Sequence, residues 1–144
     1  CKAKLGPVLD SIRLMHQLGV WVEVTTLVIP GWNDGREELQ EIARFVKDVD
    51  AGIPWHVSAF YPTYRMLDRP PTPVATLRMA RDIGLEEGLR FVYVGNVPGE
   101  GGENTFCPAC GTELIARHGY RARLVNLVDG GCSQCGNRIE GVWQ

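Results

Sequence analysis

Four cysteines carry the clearest chemistry in this chain. They stand in two short runs, Cys107-Pro108-Ala109-Cys110-Gly111 and Cys132-Ser133-Gln134-Cys135-Gly136. A Cys-x-x-Cys turn lets both sulfurs face one metal ion while backbone amides point at the thiolates, and a glycine after the second cysteine permits the tight backbone that follows. Two such turns complete a tetrahedral set. They are separated by 21 residues, enough for a hairpin pairing 113–118 with 121–128 across Gly119-Tyr120, the plan of a zinc-ribbon or rubredoxin-like module. Two disulfides are the other use of four cysteines. The first residues contain no apolar signal core, however, so export is not expected and a reducing cytoplasm is the wrong setting for them. Zinc is therefore expected on Cys107, Cys110, Cys132 and Cys135, with iron as the alternative because both metals accept four thiolates. So small a module lacks a large apolar core, and its metal should contribute much of its folding energy.

Polar residues inside apolar strands are the second signal, since a buried polar group must be paired or put to use. Glu23 and Thr25 share one face of the run 20–29. His56 and Ser58 share a face of 55–61, which Phe60 continues. Each set has an ordinary structural reading, in which Glu23 reaches solvent or an arginine and His56 is a satisfied strand histidine, and a functional one, in which they meet a ligand. Tyr61 ends its strand at the edge where parallel α/β layers place their sites. Arg117, His118, Arg121 and Arg123 gather near the hairpin tip, but with Glu113, Asp129 and Glu140 in the same module the field is weak. A solvated loop is expected there, with Tyr120 and Trp143 packing over the metal core.

The elements that must position these residues follow from periodicity. Val8, Leu9, Ile12, Met15 and Leu18 recur at helical spacing, and Gly19 suits a left-handed cap. The β-branched run 20–29 predicts a strand covered on both faces. After Pro30-Gly31-Trp32-Asn33, Asp34 and Glu37 form a capping pattern for a helix with Leu39, Ile42, Ala43, Val46 and Val49 inward. A second strand at 55–61 is followed by a helix from about Thr72-Pro73, with Leu77, Ala80 and Ile83 inward and Gly88 closing it. A third strand covers 91–94. Strands separated by helices imply parallel pairing through right-handed crossovers, so residues 1–99 read as an α/β layer, 100–104 as a glycine-rich linker and 105–144 as the four-cysteine module. Three strands close no barrel, and the chain enters a helix directly after Cys1, so a fragment is expected.

Composition bounds the possibilities. Of 144 residues, 44% are hydrophobic and 22% charged, which excludes disorder as the overall state, and a net charge of −2 gives no general field for nucleic acid or an anionic membrane. No apolar run is long enough for a membrane-spanning helix. No dinucleotide-binding or phosphate-loop pattern is present.

The runs Trp21-Val22-Glu23-Val24-Thr25-Thr26-Leu27-Val28-Ile29-Pro30-Gly31-Trp32-Asn33-Asp34, Pro54-Trp55-His56-Val57-Ser58, Tyr61-Pro62 and Tyr93-Val94-Gly95-Asn96-Val97-Pro98-Gly99, with Asn104-Thr105 and Cys107-Pro108-Ala109-Cys110-Gly111, resemble the C-terminal half of radical SAM enzymes of the AmmeMemoRadiSam system, relatives of the activating enzyme of pyruvate formate-lyase. The resemblance implies part of a TIM-type barrel that, in the complete enzyme, holds a 4Fe-4S cluster and S-adenosylmethionine and generates a 5′-deoxyadenosyl radical acting on a substrate or partner protein. It places Glu23, Thr25, His56 and Ser58 on the inner side of late barrel strands, near S-adenosylmethionine or substrate. The family's Cys-x-x-x-Cys-x-x-Cys cluster motif and early glycine-rich stretch are absent from this sequence, and Tyr61 stands where many relatives have histidine. The chain alone is thus expected to hold no cluster, to perform no radical chemistry, and to self-associate through strand edges left open by the missing N-terminal half.

Overall fold

The computed structural model describes residues 3–97, 99 and 101–143. Cys1, together with Pro98 and Glu100 near the expected linker, lies outside the described residues. Helix α1 (Leu5–Gln17), strand β1 (Val24–Val28), helix α2 (Arg36–Val49), strand β2 (Trp55–Ala59), helix α3 (Val74–Glu86) and strand β3 (Val92–Gly95) alternate along the chain. The three strands form a parallel sheet in the order β1-β2-β3, with Thr25 beside His56 and Ser58 beside Gly95. This is a mixed α/β layer, and among the described residues it closes no barrel.

Helices α2 and α3 lie on one face of the sheet. Leu39, Ala43 and Val46 of α2 and Leu77, Ala80 and Ile83 of α3 meet Val28, Trp55, Val57, Val92 and Val94, all buried, as the helical and two-residue periods require. Trp55 fills the centre with no exposed surface, and its indole N–H donates to Thr26 Oγ1 at 2.9 Å, which pairs two polar groups inside the layer. Gly84 stands in the last turn of α3, where a Cβ would come within 2.8 Å of Val92 and 2.9 Å of Trp55, so the helix sits closer to the sheet than any side chain there would allow.

Several expectations are corrected. Along β1 the run 20–29 is covered on one face only: Thr25 and Leu27 are exposed, because α1 packs none of its residues into the core and, among the described residues, no other element buries them. Asp34 does not cap α2, whose N-cap is Gly35 without a side-chain bond; its Oδ1 accepts from Gly31 N–H at 2.8 Å and closes the preceding turn. Phe60, expected on the strand with His56 and Ser58, lies just beyond the end of β2 and is buried. Residues 101–104 do not hang free as a spacer. Gly102 O accepts from Val94 N–H at 3.0 Å, so this segment lies along the outer edge of β3.

Strands β4 (Thr105–Phe106), β5 (Glu113–His118) and β6 (Arg121–Leu124) make an antiparallel sheet, and β7 (Leu127–Val128) pairs with β8 (Gly131–Cys132). The turn at Gly119-Tyr120 joins His118 to Arg121 as the spacing predicts. The second hairpin strand stops at Leu124, because Leu127 and Val128 pair with Cys132 and Gly131 and bring the second cysteine turn up to the first.

Candidate metal centre and adjoining cleft

Each cysteine turn is built the same way. Gly111 N–H donates to Cys107 O and Gly136 N–H to Cys132 O, both at 2.8 Å, and both glycines take a φ of +73°, where a side chain would be strained. The two turns therefore present their sulfurs as near-equivalent pairs. Sγ of Cys107 lies 3.6 Å from that of Cys135, Sγ of Cys110 lies 3.7 Å from that of Cys132, and all four fall within 4.8 Å of one another. A disulfide requires about 2.05 Å. Tetrahedral zinc with bonds of about 2.3 Å sets sulfurs about 3.8 Å apart, so the donor set fits one such ion.

The protonation chemistry agrees. Thr112, through its hydroxyl and its backbone amide, favours the thiolate of Cys110 and brings that thiol down to about 6. Cys135 has the Asn137 amide in its favour, yet the neighbouring Cys110 and burial push it up to about 12. Four crowded sulfurs do not all release protons until a cation sits among them. Cys107 and Cys132 are buried in a small core with Phe91, Leu114, Ile115, Leu127 and Ile139, while Cys110 and Cys135 face outward.

Phe91 comes from the α/β layer, and this explains where the module sits. Along 91–94, Val92 and Val94 point into the helical core, while Phe91 and Tyr93 point the other way into the metal module's core. The module thus covers part of the sheet face that the helices leave open, and a cleft of about 580 Å³ lies between them, walled by Trp21, Glu23, His56, Tyr93, Arg117 and Trp143 among others.

At the entry of β1 and β2 the sequence-predicted residues meet. Glu23 Oε2 lies 2.8 Å from His56 Nε2, and Trp21 Nε1–H donates to Glu23 Oε1 at 3.0 Å. Burial works against the Glu23 charge, but the Trp21 indole, His56 and Arg117 outweigh it and hold the carboxyl below its usual range. Thr25 stands directly beside His56 and Ser58 lies farther along β2 on the same face, with its Oγ against Gly95, and neither bonds to the Glu23–His56 pair. Tyr61 Oη donates to Asn96 O at 3.2 Å and Asn96 Nδ2 to Ala59 O at 2.9 Å, so these residues tie strand exits together.

Sequence reasoning missed Tyr93 and misplaced Arg117. The Tyr93 ring lies 5.2 Å from the His56 ring, and its hydroxyl shares a 2.8 Å bond with Thr105 Oγ1. Burial raises the Tyr93 pKa, so the phenol stays protonated. Arg117 is not in the solvated loop. Its Nη1 donates to Glu103 O at 2.8 Å and Thr105 Oγ1 at 2.7 Å, and its guanidinium lies 5.2 Å over the Tyr93 ring. The available signal was the two-residue period, which put Tyr93 on the face of Phe91. Tyr120 also departs from expectation, being fully exposed at the turn, whereas Trp143 packs against Gly130 and Gly141 and donates Nε1–H to Ile139 O at 2.9 Å.

No family model matches the chain. Over 143 residues, 97% of its length, it is 48% identical to an uncharacterized protein of Methanocaldococcus jannaschii, and it spans 43% of that protein's length. No described helix is long and apolar enough to cross a membrane.

Proposed function

We propose that this chain is the C-terminal part of a cytoplasmic radical SAM enzyme, contributing late strands of a partial TIM-type barrel and a structural zinc ribbon. The observation that carries the reading is the placement of both helices α2 and α3 on one face of a sequentially ordered parallel sheet, with Thr25, His56 and Ser58 on the other. A barrel wall has its helices on the outside and turns the other face of the sheet toward the barrel axis. The resemblance in the runs around Trp21–Asp34 and Tyr93–Gly99 supports it, as does a relative more than twice as long.

In the complete enzyme an N-terminal half would bring the 4Fe-4S cluster, and S-adenosylmethionine cleaved there would supply a 5′-deoxyadenosyl radical for a substrate or partner protein. This chain's own residues would wall and orient that site and exclude water from it. Zinc is favoured over iron at Cys107, Cys110, Cys132 and Cys135 because closed four-cysteine sites are the usual home of structural zinc.

The test uses two proteins. Anaerobic reconstitution of the full-length archaeal relative with iron and sulfide should give a 4Fe-4S absorption band and reductant-dependent 5′-deoxyadenosine. The present chain under the same treatment should bind one colourless metal ion and yield neither. A full-length relative that forms no cluster would sink the radical reading. A red chain that bleaches on reduction would instead favour rubredoxin-like electron transfer.

A further inference from the structure

A continuous path of contacts runs from the metal module to the Glu23–His56 pair. Asn104 Oδ1 accepts from Arg117 N–H at 2.7 Å, fixing that residue on β5. Thr105, two residues before Cys107, shares its hydroxyl with both Arg117 and Tyr93. The Tyr93 ring touches both the Arg117 guanidinium and the His56 ring, and His56 meets Glu23. Phe91, one pleat before Tyr93, is packed in the same core as Cys107 and Cys132. The first cysteine turn, Cys107 to Cys110, therefore joins the two strands, β4 and β5, whose Thr105 and Arg117 hold Tyr93.

We infer that Arg117 and Tyr93 are positioning residues, which make the geometry of the Glu23–His56 pair depend on metal in the four-cysteine site. Without metal, β4 and β5 lose the anchor that the two cysteine turns give them, because the small core around Leu114 and Ile115 includes two of the sulfurs themselves. Arg117 and Thr105 then leave Tyr93, and Tyr93 is free to turn away from His56. The pair would survive as two side chains on adjacent strands but without its wall. The α/β layer keeps a separate core around Trp55 and Leu77, so this loss is local. The inference rests on metal binding and geometry, and holds whether or not the layer belongs to a radical enzyme.

The groups that face Glu23 are His56 on β2, Tyr93 on β3 and Arg117 on β5, with Glu103 and Glu140 lining the same cleft. Of these, Arg117 is a cation that favours the Glu23 carboxylate.

The experiment follows the His56 ring and the Glu23 carboxyl by NMR in the zinc-loaded chain, after chelation, and in two variants. Chelation should move the His56 ring signals while the methyl signals of Val57 and Leu77 stay in place. Arg117→Met, with zinc content still one per chain, should shift the same signals and raise the Glu23 titration midpoint. Tyr93→Leu breaks the path from outside the metal module, and in that variant chelation should leave His56 unmoved. Identical His56 and Glu23 behaviour in the loaded and chelated chain overturns the inference. So does a Tyr93→Leu variant whose His56 signals still respond to chelation, which would route the effect by another path. If Arg117→Met loses zinc, the Tyr93→Leu comparison alone decides.

Discussion

The Thr72 hydroxyl donates to Val28 O at 2.6 Å across 44 residues of sequence, and the same oxygen accepts from Phe60 N–H at 2.8 Å. Thr72 stands just before α3 and is buried, so one side chain satisfies a carbonyl at the end of β1 and an amide just past β2. Thr72→Val keeps the shape and removes both partners. Leaving two buried backbone groups unpaired should cost about 1–3 kcal/mol, read as a lower denaturant midpoint with unchanged slope.

Gly84 presents the opposite situation, in which an absent side chain permits the contact. An alanine there is favoured by helix propensity by about 1 kcal/mol, yet its Cβ would meet Val92 and Trp55 well inside contact distance. Neither neighbour is the free end of a flexible chain, so Gly84→Ala should be net destabilising by about 1–3 kcal/mol. A thermal melt followed at the Trp55 fluorescence checks this, and a stabilised variant would contradict the close approach.

Much of this arrangement was legible beforehand, and most of the misses share one cause. Cysteine spacing predicted the metal turns because four ligands and two glycines are a local pattern. Helical period placed Leu39, Ala43, Leu77 and Ile83 inward for the same reason. Period two put Glu23 with Thr25 and His56 with Ser58, but a period says which residues share a face and not what covers it. The partner of Glu23 lies 33 residues away, and the contact of Arg117 with Thr105 joins separate strands. Asp34 failed as a cap for a different reason, since its carboxylate is engaged by a turn amide, Gly31 N–H, instead of the helix.

Metal removal should be severe and confined to one module. Changing any of Cys107, Cys110, Cys132 or Cys135 to serine should abolish stoichiometric zinc, measured by elemental analysis. In small structural sites the metal contributes on the order of 10 kcal/mol to folding. A chelator should erase the ribbon's amide dispersion while the α/β layer keeps a cooperative melt.

The acid limb of stability should report Glu23. Its carboxyl is held below its ordinary value in the folded chain, so across that window the unfolded state binds more protons. Stability from this group is present above about pH 4.5, the unstrained glutamate value, and is lost as pH falls through the lower folded value. Glu23→Gln should flatten that part of the profile and leave stability at neutral pH changed by a smaller, pH-independent amount. Urea midpoints from pH 3 to pH 7 provide the comparison, with about half a unit between points.

The outer edge of β1 carries no strand among the described residues, and Leu27 on that strand is exposed, as are Leu5, Leu14, Leu18 and Val20 in the segment before it. The chain on its own should associate, and Leu27→Lys should reduce this in sedimentation by placing a charge at the open edge.

The covering of β3 by Gly102 gives that association a limit. A sheet with two open edges can add copies without end, but here one edge already has its donor at Val94 occupied. Two copies joined through β1 would each turn a sealed side outward. Pairing would then be a symmetric closed event that stops at two, and the same contact that docks the metal module would act as a stopper against fibre growth.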